Sequence, residues 1–536
     1  MGRVKRARVD PAPLKWSRVC FLFIFAYLCQ FIFLPTELNA EVTLTKRTLS
    51  VSETANTRGR ITKKALTKSL AHYTQGLIYD IEKRIEEAVK EYSKALEYDH
   101  RQSAIHLRLG IDYIILGEHK KAIKAFKFAK KFDTEDTAPR ILLALVYTSL
   151  KKLKSAQKEY QEIIQINPED IHALSSLADL YIIERKLKEA STIYEELLEK
   201  YKGKGNEGLL HFNLAILYAK MERMDDAVMH LEEAVRLNPD YLEAHLALGA
   251  LYEFKSQGEK AIGMYKGVLE KDPRNKEARR FLGNIYIVQK KPEDAIQQFK
   301  AIIAIDPTDL QAYVDLAALY LKTDKADEAR RVTEEAAKSG ITDYKIYLIK
   351  GIAYVQNDQL NEAIKSYKKA LEIKPESSVC NFYVGSAYER LGQNKEAISF
   401  LKKAIRLDKK NAEAYNYLGY MYAEAGTHLS EAIVLIKKAL EIEPKNGAFI
   451  DSLGWAYFKK GWIEKAIGEL EKALKFEPDE PDIHEHLGDV YFKKGLVDKA
   501  ILEWEKSLEL NPAQDEVRER IERESAKTKE ESVVLQ

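Results

Sequence analysis

Small and apolar residues recur along this chain in a fixed order. A Gly or Ala is followed by a Tyr three residues later and, nine residues further on (ten in one copy), by an Ala. The Tyr and Ala pair occurs thirteen times, and nearly all copies are 34 residues apart. Its tyrosines are Tyr79, Tyr113, Tyr147, Tyr181, Tyr218, Tyr252, Tyr286, Tyr320, Tyr354, Tyr388, Tyr422, Tyr457 and Tyr491. A period of this length predicts a stacked array of small units and not a globular enzyme domain.

Each unit has the composition of two short helices that cross closely. In residues 344–377 the close approach is assigned to Gly351 and Ala363, because two helices come together only where the crossing point carries almost no side chain. Tyr354 would fill the space beside this contact. Pro375 cannot continue a helix, so it ends the unit.

This pattern resembles the tetratricopeptide repeat. The family's positions 8, 11, 20, 24, 27 and 32 are matched by Gly351, Tyr354, Ala363, Tyr367, Ala370 and Pro375. The resemblance covers residues 69 to 514 and implies an all-α fold, a right-handed superhelical α-solenoid of about thirteen helix-turn-helix units. Residues 69–207 would form repeats 1–4 and residues 208–514 repeats 5–13, with the Gly-rich stretch 202–208 as a flexible turn between them. Residues 515–527 are predicted to form a cap helix before a tail at 528–536.

The N-terminal segment has a different composition. Six Lys or Arg precede an apolar run at residues 19–34, and small residues follow before Glu41. This order predicts that residues 1–40 are a cleaved secretory signal or an uncleaved anchor that tethers the chain to a membrane. Residues 41–68 would be a flexible spacer. Both alternatives place the repeats outside the cytoplasm.

The repeats around Gly419–Tyr422 and Asp451–Trp455 are similar to segments of bacterial envelope proteins. This resemblance implies a chain that is exported to the periplasm, or anchored in a membrane and facing the periplasm. The role that it implies is in envelope assembly or secretion.

Charge and cysteine content limit the function classes. Residues 1–40 carry six Lys or Arg and two Asp or Glu, so their removal would change the formal net charge from +2 to −2. This balance predicts no nucleic-acid partner. Only Cys380 would remain, which excludes an intrachain disulfide, and we expect it to be a packed residue and not a nucleophile.

The sequence offers no convincing catalytic or metal constellation. Gly203, Gly205 and Gly208 spell a phosphate loop, but no strand precedes them. His484 and His486 stand two residues apart, so on a helix they point about 200° apart and are expected to be a surface pair and not metal ligands. We therefore predict a non-enzymatic protein without a metal or cofactor.

The resemblance implies that the first helices of successive repeats line a concave groove, which is where a partner would bind. In repeats 10–13 aromatic residues alternate with acids, and the predicted partner-binding residues are Tyr417, Tyr420, Asp451, Trp455, Phe458, Glu485 and Asp489. Tyr420 and Trp455, both at position 9, are expected to be exposed anchors. The acids are expected to orient the basic groups of a protein or peptide ligand that also carries apolar residues.

Repeats 1–3 predict a second, apolar groove. Its residues are Tyr73, Leu77, Leu107, Ile111, Ile114 and Leu145. Such a surface would hold a hydrophobic helix or strand, or be covered by the preceding segment or by a second copy of the chain. Two functions therefore remain open: a scaffold that binds peptide or protein segments, and a structural array that self-assembles as a homo-oligomer through the apolar groove.

Overall fold

The computed structural model describes residues 62–168, 170–203, 205 and 207–534, with side chains as far as residue 526. The predicted signal or anchor at residues 1–40 and residues 41–61 of the predicted spacer lie outside these residues. Within them the chain forms twenty-seven helices and no strand. No described helix is both long enough and apolar enough to cross a membrane.

The first eight helices form repeats 1–4. They are α1 (Lys63–Ile81), α2 (Ile85–Tyr98), α3 (Ser103–Ile115), α4 (His119–Phe132), α5 (Ala138–Ser149), α6 (Leu153–Ile166), α7 (Ile171–Ile183) and α8 (Leu187–Lys200). The next ten form repeats 5–9: α9 (Glu207–Lys220), α10 (Met224–Leu237), α11 (Leu242–Phe254), α12 (Gly258–Lys271), α13 (Lys276–Val288), α14 (Pro292–Ile305), α15 (Leu310–Lys322), α16 (Ala326–Lys338), α17 (Tyr344–Gln356) and α18 (Leu360–Ile373). Repeats 10–13 and the last helix are α19 (Ser378–Arg390), α20 (Asn394–Leu407), α21 (Ala412–Glu424), α22 (Leu429–Ile442), α23 (Gly447–Lys459), α24 (Ile463–Leu474), α25 (Pro481–Lys493), α26 (Val497–Leu510) and α27 (Asp515–Val534).

Each odd-numbered helix from α1 to α25 packs against the helix that follows it, and the pair is one repeat; in repeat 7 the contact is that of Gly283 with Phe299. The predicted all-α fold of thirteen two-helix units followed by a final helix is confirmed. The described residues divide into two compact units, residues 62–278 and residues 279–534. In each unit the core lies between the two helices of every repeat and between successive repeats.

Both ends of the array differ from the predicted bounds. The first helix begins at Lys63, within the predicted spacer, because the Thr62 hydroxyl accepts a hydrogen bond from the Ala65 N–H (3.2 Å) and caps the helix. The final helix continues to Val534, past the predicted end at residue 527. Its sequence is mostly charged and contains no Pro or Gly, so no residue within it ends the helix.

The helix crossing uses a different contact from the one predicted. A Cβ atom at Gly351 would overlap the ring of Tyr367, and Ala363 is fully buried nearby. Gly110 lies against Phe126 and Gly488 against Trp504 in the same way. The first-helix glycine therefore makes room for the large side chain at position 24 of the second helix, and not chiefly for the alanine at position 20.

Candidate functional site

The predicted partner-binding residues lie on the first helices of repeats 10–13. Within this unit α21 packs against α23, and α23 packs against α25, so these helices form one continuous layer. We call its central part the aromatic face. It comprises Tyr417, Tyr420, Trp455 and Phe458 with the carboxylates of Glu389, Glu424, Asp451 and Asp482.

Trp455 lies inside this layer and does not project from it. Only 7% of the residue is exposed, so the expectation of an exposed anchor was wrong. Its indole Nε1 donates a hydrogen bond to Oε2 of Glu424 (2.6 Å), and its ring stacks on His486 with the centroids 4.2 Å apart. Phe458 packs against the same ring at 5.0 Å, and Nζ of Lys459 lies over the ring, 4.8 Å from its centroid. The polar edge and the ring of the indole thus have partners on the protein.

Tyr417 forms a similar pair with the preceding repeat. Its hydroxyl donates a hydrogen bond to Oε2 of Glu389 (2.9 Å), and its ring meets the edge of Phe382 at 5.6 Å. Burial raises the pKa of Glu389, while the Tyr417 hydrogen bond acts in the opposite direction. A tyrosine hydroxyl is a neutral donor, so the ionised Glu389 would keep its negative charge.

Tyr420 is the half-buried centre of the aromatic face. Burial raises its pKa, and so do the negative charges of Glu424, Asp451, Asp482 and Glu389. Four carboxylates therefore create a negative potential around one partly exposed ring. This combination attracts a cationic group and offers it an aromatic surface.

Asp451, Glu485 and Asp489 do not present free carboxylates to a partner, contrary to the prediction. The Nδ1 atom of His486 lies 2.7 Å from Oδ1 of Asp451, and both residues are buried. Arg520 of α27 bridges Glu485 (2.7 Å) and Asp489. The basic group that the sequence assigned to a partner is thus supplied by the chain's own cap helix.

Further contacts hold the same two acids. The Gln514 side chain donates to Glu485 (2.9 Å), and the Trp504 indole donates to Asp489 (3.0 Å). Glu485 is buried, with 6% exposed. These residues join α25, α26 and α27, and their place is in the packing of the final helices.

The two histidines of repeat 13 are buried, so the expected surface pair was wrong. His484 places Nδ1 2.6 Å from Oε2 of Glu503 and Nε2 3.0 Å from the Pro478 carbonyl oxygen. The Glu503 carboxylate raises the pKa of His484. No group of three metal-ligating side chains occurs in the part of the chain that the structure describes.

Cys380 was expected to be a small packed residue, and this is confirmed. The residue is fully buried, and burial raises the pKa of its thiol. A thiol in this setting is a weak nucleophile at neutral pH.

Glu389 and Glu424 were not among the residues predicted from the sequence. Both lie at or near the ends of first helices, where Glu424 follows Tyr420 by one helical turn and Glu389 precedes Tyr417 by 28 residues. The four-residue spacing between Tyr420 and Glu424 could have identified Glu424, because it places the two residues on the same helix face.

The predicted apolar groove of repeats 1–3 differs from the aromatic face in that its exposed side chains are aliphatic. Leu145 is 45% exposed, and Tyr73, Leu77, Ile111 and Ile114 are half-buried. Other aliphatic residues on the same first helices are also exposed, among them Leu70 (57%), Ile115 (61%) and Ile81 (83%). Leu107 was placed in this groove wrongly, since it is 6% exposed and belongs to the core. We call the exposed and half-buried set the aliphatic face.

Two carboxyl groups, one half-buried and one buried, lie among the helices that carry the aliphatic face. The Tyr92 hydroxyl donates to Oδ2 of Asp80 (2.5 Å), and Asp112 is 2% exposed. Oδ1 of Asp80 and Oδ2 of Asp112 meet no donor among the described residues. Burial and the neighbouring Asp80 carboxylate raise the pKa of Asp112 to about 7. A proton shared between the two groups accounts for this arrangement.

Several models of known protein families match segments of the repeat array. Models described as tetratricopeptide repeat match residues 70–100, 251–309 and 289–340. A model of the tetratricopeptide repeat protein 21 ARM repeat matches residues 116–261, and one of the cilia and flagella-associated protein 70 C-terminal domain matches residues 335–526. The chain is a tetratricopeptide repeat protein. Repeats of this family are generally non-enzymatic scaffolds. This tetratricopeptide repeat protein belongs to the general class of scaffolds for protein–protein interaction.

Solved structures give similar matches. The APC/C hetero-tetramer Cut9–Hcn1 is 17% identical, with 86% of this chain and 97% of that chain covered and a TM-score of 0.42. Yeast Tom70 is 16% identical, with coverages of 87% and 96% and a TM-score of 0.37. MamA is 30% identical over 31% of this chain and 97% of its own, with a TM-score of 0.28. A search of curated protein sequences found no match.

Proposed function

We propose that this tetratricopeptide repeat protein binds peptide or protein segments that combine Lys or Arg with apolar residues, and that the aromatic face of repeats 10–13 is the binding site. The observation that carries the proposal is the half-buried ring of Tyr420 beside Glu389 and Glu424, two carboxylates whose hydrogen-bond donors, Tyr417 and Trp455, are neutral. A basic side chain would meet the negative potential of these carboxylates. An apolar neighbour on the ligand would pack on the ring.

Glu389 and Glu424 are the residues that best separate ligand binding from folding. Glu389 is hydrogen-bonded to the neutral Tyr417 hydroxyl, and the Glu424 side chain remains 50% exposed beside Lys459 at 3.7 Å. A Gln at either position keeps a carbonyl oxygen to accept the Tyr417 or Trp455 hydrogen bond, while it removes the negative charge. The fold should therefore survive a change that weakens attraction to a basic ligand.

The test uses a fluorescent model peptide that alternates Lys with Leu, and a second one that alternates Glu with Leu. Binding to the Lys–Leu peptide should fall about tenfold in the double variant Glu389→Gln, Glu424→Gln, mainly through slower association, with a weaker dependence on salt. Fluorescence anisotropy and stopped-flow mixing measure both quantities. The matched control replaces Glu372 and Glu441, which are exposed on second helices, with Gln and should bind normally. Equal binding by all three proteins, or a preference for the Glu–Leu peptide, would refute the proposal.

We also propose that this binding takes place outside the cytoplasm, in envelope assembly or secretion, because residues 1–40 have the order of basic, apolar and small residues found in export signals. Sequencing the N-terminus of the protein isolated from its source tests this. An N-terminus near Glu41 is expected for a cleaved signal, and an intact Met1 on a membrane-bound protein for an anchor. A soluble cytoplasmic protein with an intact Met1 contradicts both alternatives.

A further inference from the structure

The second helix of repeat 2, α4, is the most basic helix of the described residues. Its sequence from His119 to Phe132 contains six lysines and no acid. Two of these lysines have carboxylate partners: Lys121 pairs with Glu118 (2.6 Å), and Lys130 pairs with both Glu159 (2.7 Å) and Glu162 (2.5 Å) of α6. The other four are exposed and form no ion pair with any described carboxylate.

These four residues form what we call the lysine stripe, which consists of Lys120, Lys124, Lys127 and Lys131. Their spacing of four, three and four residues places all of them on one side of the helix, over a length of roughly 16 Å. Repeat 3 adds further positive charge. Four more exposed lysines have no ion-pair partner among the described residues, and they are Lys151, Lys152, Lys154 and Lys158. The acids of α6, Glu159 and Glu162, are occupied by Lys130 and Arg140.

An apolar side chain lies within the stripe. Phe128 is 36% exposed between Lys124, Lys127 and Lys131, while its other side stacks on His106 with the ring centroids 5.2 Å apart. Ile123, half-buried, lies on the opposite side of the lysine row on the same helix. A helix surface with a row of lysines and a partly exposed aromatic ring is the composition that binds at a lipid headgroup layer.

The charged residues on this surface are all lysines. Arginine is the residue that recognises an individual carboxylate or phosphate through its planar fork, whereas lysine acts as a strongly hydrated point charge. A row of lysines without an arginine therefore fits a diffuse anionic surface better than one shaped ligand. Each lysine close to an anionic membrane adds to the attraction.

We infer that the lysine stripe and Phe128 form a docking surface for a membrane that contains anionic phospholipids. The predicted membrane-targeting run ends at Leu34, and α1 begins at Lys63. The intervening residues can span at most on the order of 90 to 100 Å. A chain held at a membrane by residues 19–34 would thus keep repeat 2 within reach of the headgroups. This inference concerns the second helices and does not depend on the function proposed for the aromatic face.

Cosedimentation of the full chain with lipid vesicles tests the inference. One vesicle preparation contains phosphatidylglycerol and phosphatidylcholine, and the other contains phosphatidylcholine alone, which measures any insertion of residues 19–34 that is independent of lipid charge. The wild-type chain should bind the anionic vesicles at least tenfold more tightly, and moderate salt should reduce this preference.

The stripe variant carries Gln at its four lysines, as Lys120→Gln, Lys124→Gln, Lys127→Gln and Lys131→Gln. It should lose at least tenfold in affinity for anionic vesicles and bind neutral vesicles as the wild type does. Phe128→Ala should lose about twofold to fivefold. The matched control carries the same change at four exposed lysines of the other unit, Lys409, Lys410, Lys445 and Lys475, and should behave like the wild type.

Three results would overturn the inference. The first is a wild-type chain with no preference for anionic vesicles. The second is a stripe variant that binds them as well as the control variant does, with both folded by circular dichroism. The third is tighter binding of the wild-type chain to duplex DNA or polyglutamate than to anionic vesicles at the same salt, together with an equal loss of that affinity in the stripe variant. This result would assign the lysines to another class of polyanion.

Discussion

The first helices of repeats 1–3 and of repeats 10–13 occupy equivalent places in their hairpins, yet their surfaces differ in chemistry. On the aliphatic face, residues such as Leu70, Ile115 and Leu145 are exposed and carry no polar atom that needs a partner. On the aromatic face, Tyr417 and Trp455 each donate a hydrogen bond to a carboxylate of the preceding repeat. The aromatic residues are therefore part of the packing between repeats, whereas the exposed aliphatic residues are not.

Position 9 shows the difference within one framework. Leu145 and Trp455 both occupy this position, but 45% of Leu145 and only 7% of Trp455 is exposed. The indole reaches Glu424 of the repeat before it and His486 of the repeat after it. A single side chain thus links three repeats, and stability in repeat proteins comes mainly from such contacts between neighbours.

The largest expected effect is that of Trp455→Ala. We expect the variant to lower the free energy of unfolding by about 3 to 5 kcal/mol, because it leaves a cavity and removes the donor to Glu424. Leu145→Ala should lower it by less than about 1 kcal/mol, since that side chain is largely in solvent. Urea unfolding followed by circular dichroism measures both, and hydrogen exchange of α21, α23 and α25 shows whether the loss is confined to repeats 11–13.

Similar losses in the two variants would contradict the comparison, because Leu145 would then be as much a part of the packing as Trp455. Trp455→Phe serves as the conservative control. It retains a ring against His486 but cannot donate to Glu424, so the loss should be intermediate.

The register of the fold was predictable because its signals are local. The Gly, Tyr and Ala spacing reports a contact within one hairpin, and the same contact returns in every repeat. Even so, the spacing assigned Ala363 to the glycine at the crossing, because it does not show which second-helix side chain is long enough to reach Gly351. The ring of Tyr367, at position 24, makes that contact.

The location of the candidate site was also predictable, but the exposure of its residues was not. Position 9 identified Tyr420 and Trp455, and the resemblance placed them on first helices. Burial of Trp455 depends on His486, 31 residues away, and the pairing of Glu485 depends on Arg520, 35 residues away. These partners belong to other repeats or to the cap, and their side-chain directions do not follow from a repeat pattern in one sequence.

The same two regions also differ in the partners of their carboxylates. Asp451 beside the aromatic face has the imidazole of His486 as its partner at 2.7 Å. Asp112 near the aliphatic face instead lies beside the Asp80 carboxylate, and its pKa is raised from 3.8 to about 7. The folded state therefore keeps a proton on this pair between about pH 4 and pH 7, where an unfolded chain has lost it.

The smaller prediction concerns stability against pH in repeats 1 and 2. A carboxyl group whose pKa is higher in the folded state stabilises the fold less as pH rises, so the contribution of Asp112 should decline between about pH 4 and pH 7 and stay low above that range. Asp112→Asn is neutral at every pH and should remove this decline. It should raise the free energy of unfolding at pH 8 by about 2 kcal/mol. This is less than the pKa shift of Asp112 alone would give at about 1.4 kcal/mol per pKa unit, because the proton is shared with Asp80. Urea unfolding at pH 5 and pH 8, with hydrogen exchange of α1 and α3, measures the effect. Asp451→Ala is the control and should destabilise repeats 12 and 13 at pH 8, because it removes the acceptor beside a buried imidazole. An Asp112→Asn chain no more stable than the wild type at pH 8 would show that the two carboxyl groups do not share a proton.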